Sequence, residues 1–259
     1  MDTYKQIQLQ IQGHVAIVTL DNPPVNALSH LMLAEIRNCF ENLAKDKNIY
    51  ACIITGNGKA FVAGADLKVD ENAPVYTGDQ ASRLGQVAFE AIEAAPFPVI
   101  AAINGYAFGG GLELTLACDI RLMSDKATIG MTESTLGLSS TYGGLTRLPW
   151  IIGEENAKWM FFTGERISAE QAKNFGLVFS VSPHDELMDN AMALAKKIAA
   201  NAPISIRLAK KTINKYREDA FYQGFLRECY VNYEISGSKD MAEGISAFME
   251  RRPAKFINE

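Results

Sequence analysis

Histidine is scarce in this chain of 259 residues: His14, His30 and His184 are the only three, too scattered to form a cluster. Each is read as a surface or loop residue, and metal chemistry is not expected. Cysteine is nearly as rare. Cys39, Cys52, Cys118 and Cys229 lie far apart in apolar or helical patterns, with no CxxC pair, which reads as reduced thiols of a cytoplasmic protein. No apolar run approaches the roughly 20 residues that span a bilayer. The opening MDTYKQIQLQ has neither the basic stretch nor the apolar core of a signal peptide. Positive charge is not in excess either: 25 Lys and Arg against 30 Asp and Glu give a net charge of −5. That balance argues against a nucleic-acid partner, and any anionic ligand must be gripped locally.

What the chain does have is an ordinary globular composition, 48% apolar and 21% charged, enough to bury a sizeable core. Lys5 to Gln12 alternates apolar and polar residues, and VAIVTL follows Gly13, which predicts a β-hairpin. Asp21-Asn22-Pro23-Pro24 ends it, and Leu31 to Leu43 has helical spacing. Ala51 to Thr55 reads as a buried strand running into the glycine-rich loop GNGKAFVAGAD. The acidic stretch Val69 to Asp79 reads as a mobile surface segment. A helix over about Gln80 to Ala95 and a strand over Pro98 to Asn104 then repeat the order strand, loop, helix, which suggests a parallel sheet with crossovers. From Glu154 the pattern turns almost wholly helical, through Glu170 to Phe175, Leu187 to Ala199, Ile204 to Tyr216 and Ala220 to Ile235. The fold class is therefore α/β, one core with a helical C-terminal third.

Two carboxylates stand out. Glu113 lies in FGGGLELTLACDI, flanked by Leu112, Leu114 and Leu116 behind three glycines, Gly109, Gly110 and Gly111. Glycines between a strand and a helix let backbone approach a ligand, and the unpaired N–H groups of a helix start can hold an anion or a developing oxyanion. A carboxylate desolvated among leucines has a raised pKa and is a competent acid or base near neutrality. Glu133, in ATIGMTESTLGL, is a lone acid in an uncharged segment. Two such groups suggest divided acid and base roles. Asp119, followed by Arg121, reads as a structural or exposed charge.

Together KAFVAGADLK (Lys59 to Lys68), INGYAFGGGLELTLACDI (Ile103 to Ile120) and GMTESTLGL (Gly130 to Leu138) resemble the crotonase superfamily, most of all enoyl-CoA hydratase. The likeness continues through FTGERISAEQAKNFGLV (Phe162 to Val178) to AFMERRPAKF (Ala247 to Phe256), and the spacing 133 − 113 = 20 is that of the two catalytic glutamates of such hydratases. The resemblance implies a crotonase-like ββα spiral core with the acyl-CoA site over residues 1–195 and a helical C-terminal oligomerisation region over 196–259. It implies hydration of a trans-2-enoyl-CoA, with Glu113 orienting or deprotonating the water and Glu133 exchanging the proton at C2. By the same likeness the N–H groups of Ala65 and Gly110 form the oxyanion hole. Ala27, Lys59, Ala63, Asp66, Leu67, Lys68, Gly109, Tyr142 and Arg251 are implied as substrate and CoA contacts. The cofactor expectation is none, since coenzyme A enters with the substrate. The partner expectation is a homotrimer or homohexamer, with no nucleic acid and no membrane. Alternatives within the superfamily are an isomerase or a dehydratase of a specialised acyl thioester; outside catalysis, a plain acyl-CoA binder or an RNA-binding member.

The chain also departs from the pattern. Relatives commonly read QPE or LPE before the second glutamate and IPGxGG after it, whereas this chain has MTE and SSTYGG, with Ser140 and Thr141 in place of the proline and a glycine. Hydroxyls there want partners if buried, which makes a polar or aromatic acyl group conceivable; a polar loop facing solvent is the plainer alternative.

Overall fold

The computed structural model describes residues 4–67, 78–214, 228 and 237–257. It opens with the expected hairpin, β1 (Ile7–Gln12) and β2 (Val15–Leu20), paired antiparallel with Ile7 opposite Leu20. Gly13, in the turn, has φ +60°, a conformation that costs glycine little. Helix α1 (His30–Leu43) is started by Ser29, whose side chain accepts from the Met32 N–H.

Three successive passes then lay one strand in each of two sheets. β3 (Ala51–Gly56) is followed by β4 (Ala60–Val62) and helix α2 (Gly78–Glu93), and β5 (Val99–Ile103) by β6 (Tyr106–Phe108) and α3 (Gly110–Ala117). β7 (Ile120–Ser124) and β8 (Thr128–Gly130) make the third pass. With two later strands, β9 (Arg166–Ser168) and β10 (Ser180–Ser182), the first strand of each pass joins a six-stranded sheet of order β1-β2-β3-β5-β7-β10, and the second joins a four-stranded sheet of order β4-β6-β8-β9. Apart from the hairpin and the β8–β9 pair, neighbouring strands run parallel. The step between sheets needs backbone contact: a Cβ on Gly105, between β5 and β6, would lie 2.1 Å from the Lys59 carbonyl oxygen.

β3 and β5 are buried on both faces, as their near-continuous apolar runs ACII and VIAAI require. Alternate residues serve different layers. Cys52 and Ile54 face the main core with Phe40, Phe61 and Phe89, while Ala51 and Ile53 face a smaller one closed by Leu187, Ala191 and Ala195 of a later helix.

The remainder comprises α4 (Gly144–Ile152), α5 (Glu154–Thr163), β9 (Arg166–Ser168), α6 (Ala169–Asn174), β10 (Ser180–Ser182), α7 (Leu187–Ala199), a helix α8 over 203–214, and α9 (Lys239–Glu250). Strands β9 and β10 correct the reading of this third as almost wholly helical. Each has three residues, too few for a period of two to register, and each completes the edge of a sheet. The expected boundary at residue 195 falls inside α7. Helix α2 begins at Gly78, so the segment expected from Val69 to Asp79 is helical at its last two residues and otherwise lies outside the described residues, as does most of the helix expected over Ala220 to Ile235. Asp119 is structural: it accepts from the Val99 N–H at 2.7 Å and from Lys210 Nζ at 2.7 Å, tying α8 to the core. Of the cysteines, Cys39, Cys52 and Cys118 are buried and free.

Candidate active site

Parallel strands β4 and β6 end side by side, and the two loops that leave them carry the glycines singled out above. Gly109 has φ +51° and donates its N–H to the Gly130 carbonyl of β8 at 2.9 Å. A Cβ on Gly111 would lie 2.1 Å from the Val62 carbonyl oxygen, so only glycine lets α3 start against the end of β4. Across the gap, Leu28 N–H donates to Gly64 O at 2.9 Å and Asp66 N–H to Leu28 O at 3.0 Å, which fixes Ala65 between them. Leu28 also reaches the other loop, with Cδ1 3.1 Å from where a Cβ of Gly110 would be. The N–H groups of Ala65 and Gly110 are both absent from the hydrogen bonds among described backbone groups.

Glu113 follows in the first turn of α3 and is 2% exposed. One of its oxygens, Oε1, accepts three hydrogen bonds: from Ser140 Oγ at 2.5 Å, Tyr142 N–H at 2.8 Å and Gly144 N–H at 2.8 Å. Its pKa is raised on balance, because burial outweighs the downward pull of these three donors and then of the Arg147 charge. Glu133 opens a short 3₁₀ turn, Glu133–Leu136, and is 9% exposed. Neither of its oxygens has a hydrogen-bond partner among the described residues. Burial first, and the charge of Glu113 second, push it up to about 8. The two carboxylates therefore share one electrostatic site from different elements, one anchored and one unanchored. Gly109 stands beside the second: a Cβ there would approach Glu133 Oε1 to 3.3 Å.

Tyr142 is half-buried, its ring edge-on to Phe89 at 5.7 Å. The ring fits because two neighbours are glycine: a Cβ on Gly85 of α2 would meet it at 2.2–2.6 Å, and one on Gly110 at 3.4 Å. The sequence offered a solvent-facing loop as the plainer reading of SSTYGG. Instead Ser140 is fully buried against Glu113, and the loop is part of the site. The stretch GNGKAFVAGAD, read above as one loop, is interrupted by β4: Lys59 is exposed in the turn before that strand, and Ala63, Asp66 and Leu67 are partly buried in the loop after it. Ala27 accepts from Asn22 Nδ2 through its carbonyl at 2.8 Å. Arg251 is exposed at the end of α9, and Lys68 lies outside the described residues.

Two residues of the site were not singled out from sequence. Arg147 on α4 is 0% exposed, donating to Tyr142 O at 3.0 Å and Glu93 Oε2 at 2.9 Å. Its signal was available, since it is the only Lys or Arg between Lys126 and Lys158. Glu228, 1% exposed, accepts from Gly143 and Thr146, and no local pattern marks it.

A family model described as Enoyl-CoA hydratase/isomerase matches residues 10–259. A putative enoyl-CoA hydratase/isomerase of Bacillus subtilis is 41% identical over 94% of this chain and 94% of its own length. A short-chain-enoyl-CoA hydratase of Clostridium acetobutylicum is 36% identical over 94% of each. Among solved structures, an enoyl-CoA hydratase from Mycobacterium avium subsp. paratuberculosis superposes with a TM-score of 0.90 at 26% identity, covering 99% of this chain and 100% of that one.

Proposed function

The chain belongs to the enoyl-CoA hydratase/isomerase family, and from that membership we propose that it adds water reversibly across the C2=C3 bond of a trans-2-enoyl-CoA thioester. The observation that carries this reading is the unequal treatment of two neighbouring buried carboxylates. Glu113, gripped by three donors, is held in place to receive a proton from water; Glu133, pushed up to about 8, holds a proton at neutral pH.

In this mechanism Glu113 takes a proton from water as the oxygen bonds to C3. The C2=C3 electron pair moves toward C2 and the thioester, so negative charge builds on the thioester oxygen. The N–H groups of Ala65 and Gly110 stabilise that charge, each by about 3–4 kcal/mol. Glu133 then delivers its proton to C2, closing the addition; the proton left on Glu113 passes to solvent and Glu133 regains one from it, which restores the starting state, and the same steps in reverse give dehydration. Glu113 and Glu133 transfer only protons, and no electrons change hands.

Lys59 and Lys68 in this reading meet the phosphates of CoA from the two ends of the glycine loop, with Arg251 as a further basic contact and Ala27, Ala63, Asp66, Leu67, Gly109 and Tyr142 along the thioester. The working form is a cytoplasmic homotrimer or homohexamer assembled through the C-terminal helices. Support for assembly comes from apolar side chains exposed on α8 (Ile204, Leu208, Ile213) and α9 (Phe248, Met249). Light scattering at micromolar concentration checks it, and a monomer would count against it.

The test of activity is the ultraviolet absorbance of crotonyl-CoA, followed beside the Glu133→Gln variant. Loss of the conjugated thioester band with wild type, slowed at least about a hundredfold in the variant, is the expected result. Equal rates would remove Glu133 from the reaction.

A further inference from the structure

The start of α4 presents unpaired N–H groups, and two buried carboxylates divide them. Tyr142 and Gly144 donate to Glu113 Oε1, each at 2.8 Å. Gly143 donates to Glu228 Oε2 at 2.8 Å, and Thr146 donates to Glu228 Oε1 through both its N–H and its hydroxyl, each at 3.1 Å. Along the chain the grip alternates, Glu113 then Glu228 then Glu113 then Glu228. A peptide segment held this way cannot easily turn one N–H without disturbing the next, because each peptide unit is a rigid plane and neighbouring planes are hinged at a shared Cα, so rotating one carries the next with it. Burial first, and the charge of Glu113 second, push Glu228 up to about 8, so it accepts these bonds through its oxygens without needing a charge, and the two groups compete for a fixed number of donors.

We propose that Glu228 is a positioning residue for the hydration reaction, fixing the backbone of 142–146 so that Glu113 is held in its working orientation. The inference rests on the reading of Glu113 as the group that handles water. Glu228 touches no reacting atom; it acts through Gly143 and Thr146. Its burial argues for a dedicated role, since an exposed glutamate could cap a helix at less cost in desolvation. Nearby Arg147, which donates to the Tyr142 carbonyl at 3.0 Å, steadies the same peptide from its other side.

The experiment pairs kinetics with hydrogen exchange resolved to single amides, on full-length protein at a temperature where circular dichroism shows each variant folded. Glu228→Ala is expected to lower kcat by about tenfold or more while KM for crotonyl-CoA stays within about twofold, the split expected for a group acting only on the reacting geometry. Exchange should quicken at Gly143 and Thr146 and also at Tyr142 and Gly144, the two amides Glu228 does not touch. Glu228→Gln, which keeps the volume and one acceptor oxygen, should fall between wild type and alanine on both measures, and it serves alone if the alanine variant does not fold. An unchanged kcat in a folded variant overturns the proposal, and so does quickened exchange confined to Gly143 and Thr146. If wild type itself fails to hydrate crotonyl-CoA, the functional reading is what fails, and the exchange pattern still decides whether Glu228 holds the loop of Glu113.

Discussion

Ser140 Oγ donates to Glu113 Oε1 at 2.5 Å, from a loop 27 residues further along the chain. Its hydroxyl is a third donor beside the Tyr142 and Gly144 N–H groups on one carboxylate oxygen. A donor to the charged form favours that form.

Ser140→Ala should therefore raise the pKa of Glu113, because the hydroxyl lowers it in wild type. A base that must be ionised then works over a narrower range, and the acidic limb of the kcat/KM profile moves to higher pH. At neutral pH the loss should be about tenfold or less, in line with roughly 0.5–1.5 kcal/mol for one hydrogen bond. A pH–rate profile with an unmoved acidic limb would contradict it.

Glu133 makes a prediction about stability. Its carboxyl is raised from 4.5 unfolded to about 8 folded, so the folded state holds the proton more tightly. The stabilisation is complete below about 4.5 and is lost as pH rises through about 8. Glu133→Gln cannot lose a proton, so its melting temperature should gain on wild type steadily across that window. Parallel curves for the two proteins would sink the assignment.

Gly85→Ala should be destabilising because of Tyr142. The new methyl carbon would fall 2.2–2.6 Å from three ring atoms that Phe89 and Gly110 also confine. Overpacking of this kind costs about 1–3 kcal/mol. In denaturant titrations of the double-mutant cycle with Tyr142→Ala, most of that cost should disappear; simple additivity would mean the ring is not the obstacle.

Arg147→Met should lower stability by about 3–5 kcal/mol, since it leaves the Glu93 partner and the Tyr142 carbonyl without their buried donor. Adding Glu93→Leu should recover part of the loss, as read from the urea midpoint. No recovery would assign the cost to lost packing of the guanidinium stem instead.

Much is legible in the residue pattern alone: the hairpin, α1 and α7 fall where apolar spacing predicts them, and the short strands β3 and β5 where continuous apolar runs do. Three-residue strands are not, because their pairing depends on partners distant in the chain: Ile129 of β8 faces Ile167 of β9. Burial of Glu113 is readable from its leucine neighbours, whereas the fate of Ser140 is not. A serine in a polar loop reads the same whether it meets solvent or a carboxylate 27 residues away.

By itself the sequence determined the chemistry at hand: two isolated glutamates twenty positions apart, glycines at strand ends, an apolar core, a negative net charge. These are local properties of residue type and spacing, and they carry the family with them. Only the tertiary structure decided how the two acids differ. Which oxygen meets which N–H is fixed by the packing of α4 against α3 and by Glu228 arriving from far along the chain. Proton affinity in a buried site depends on burial and on neighbours a few ångströms away, and those distances exist only once the chain is folded.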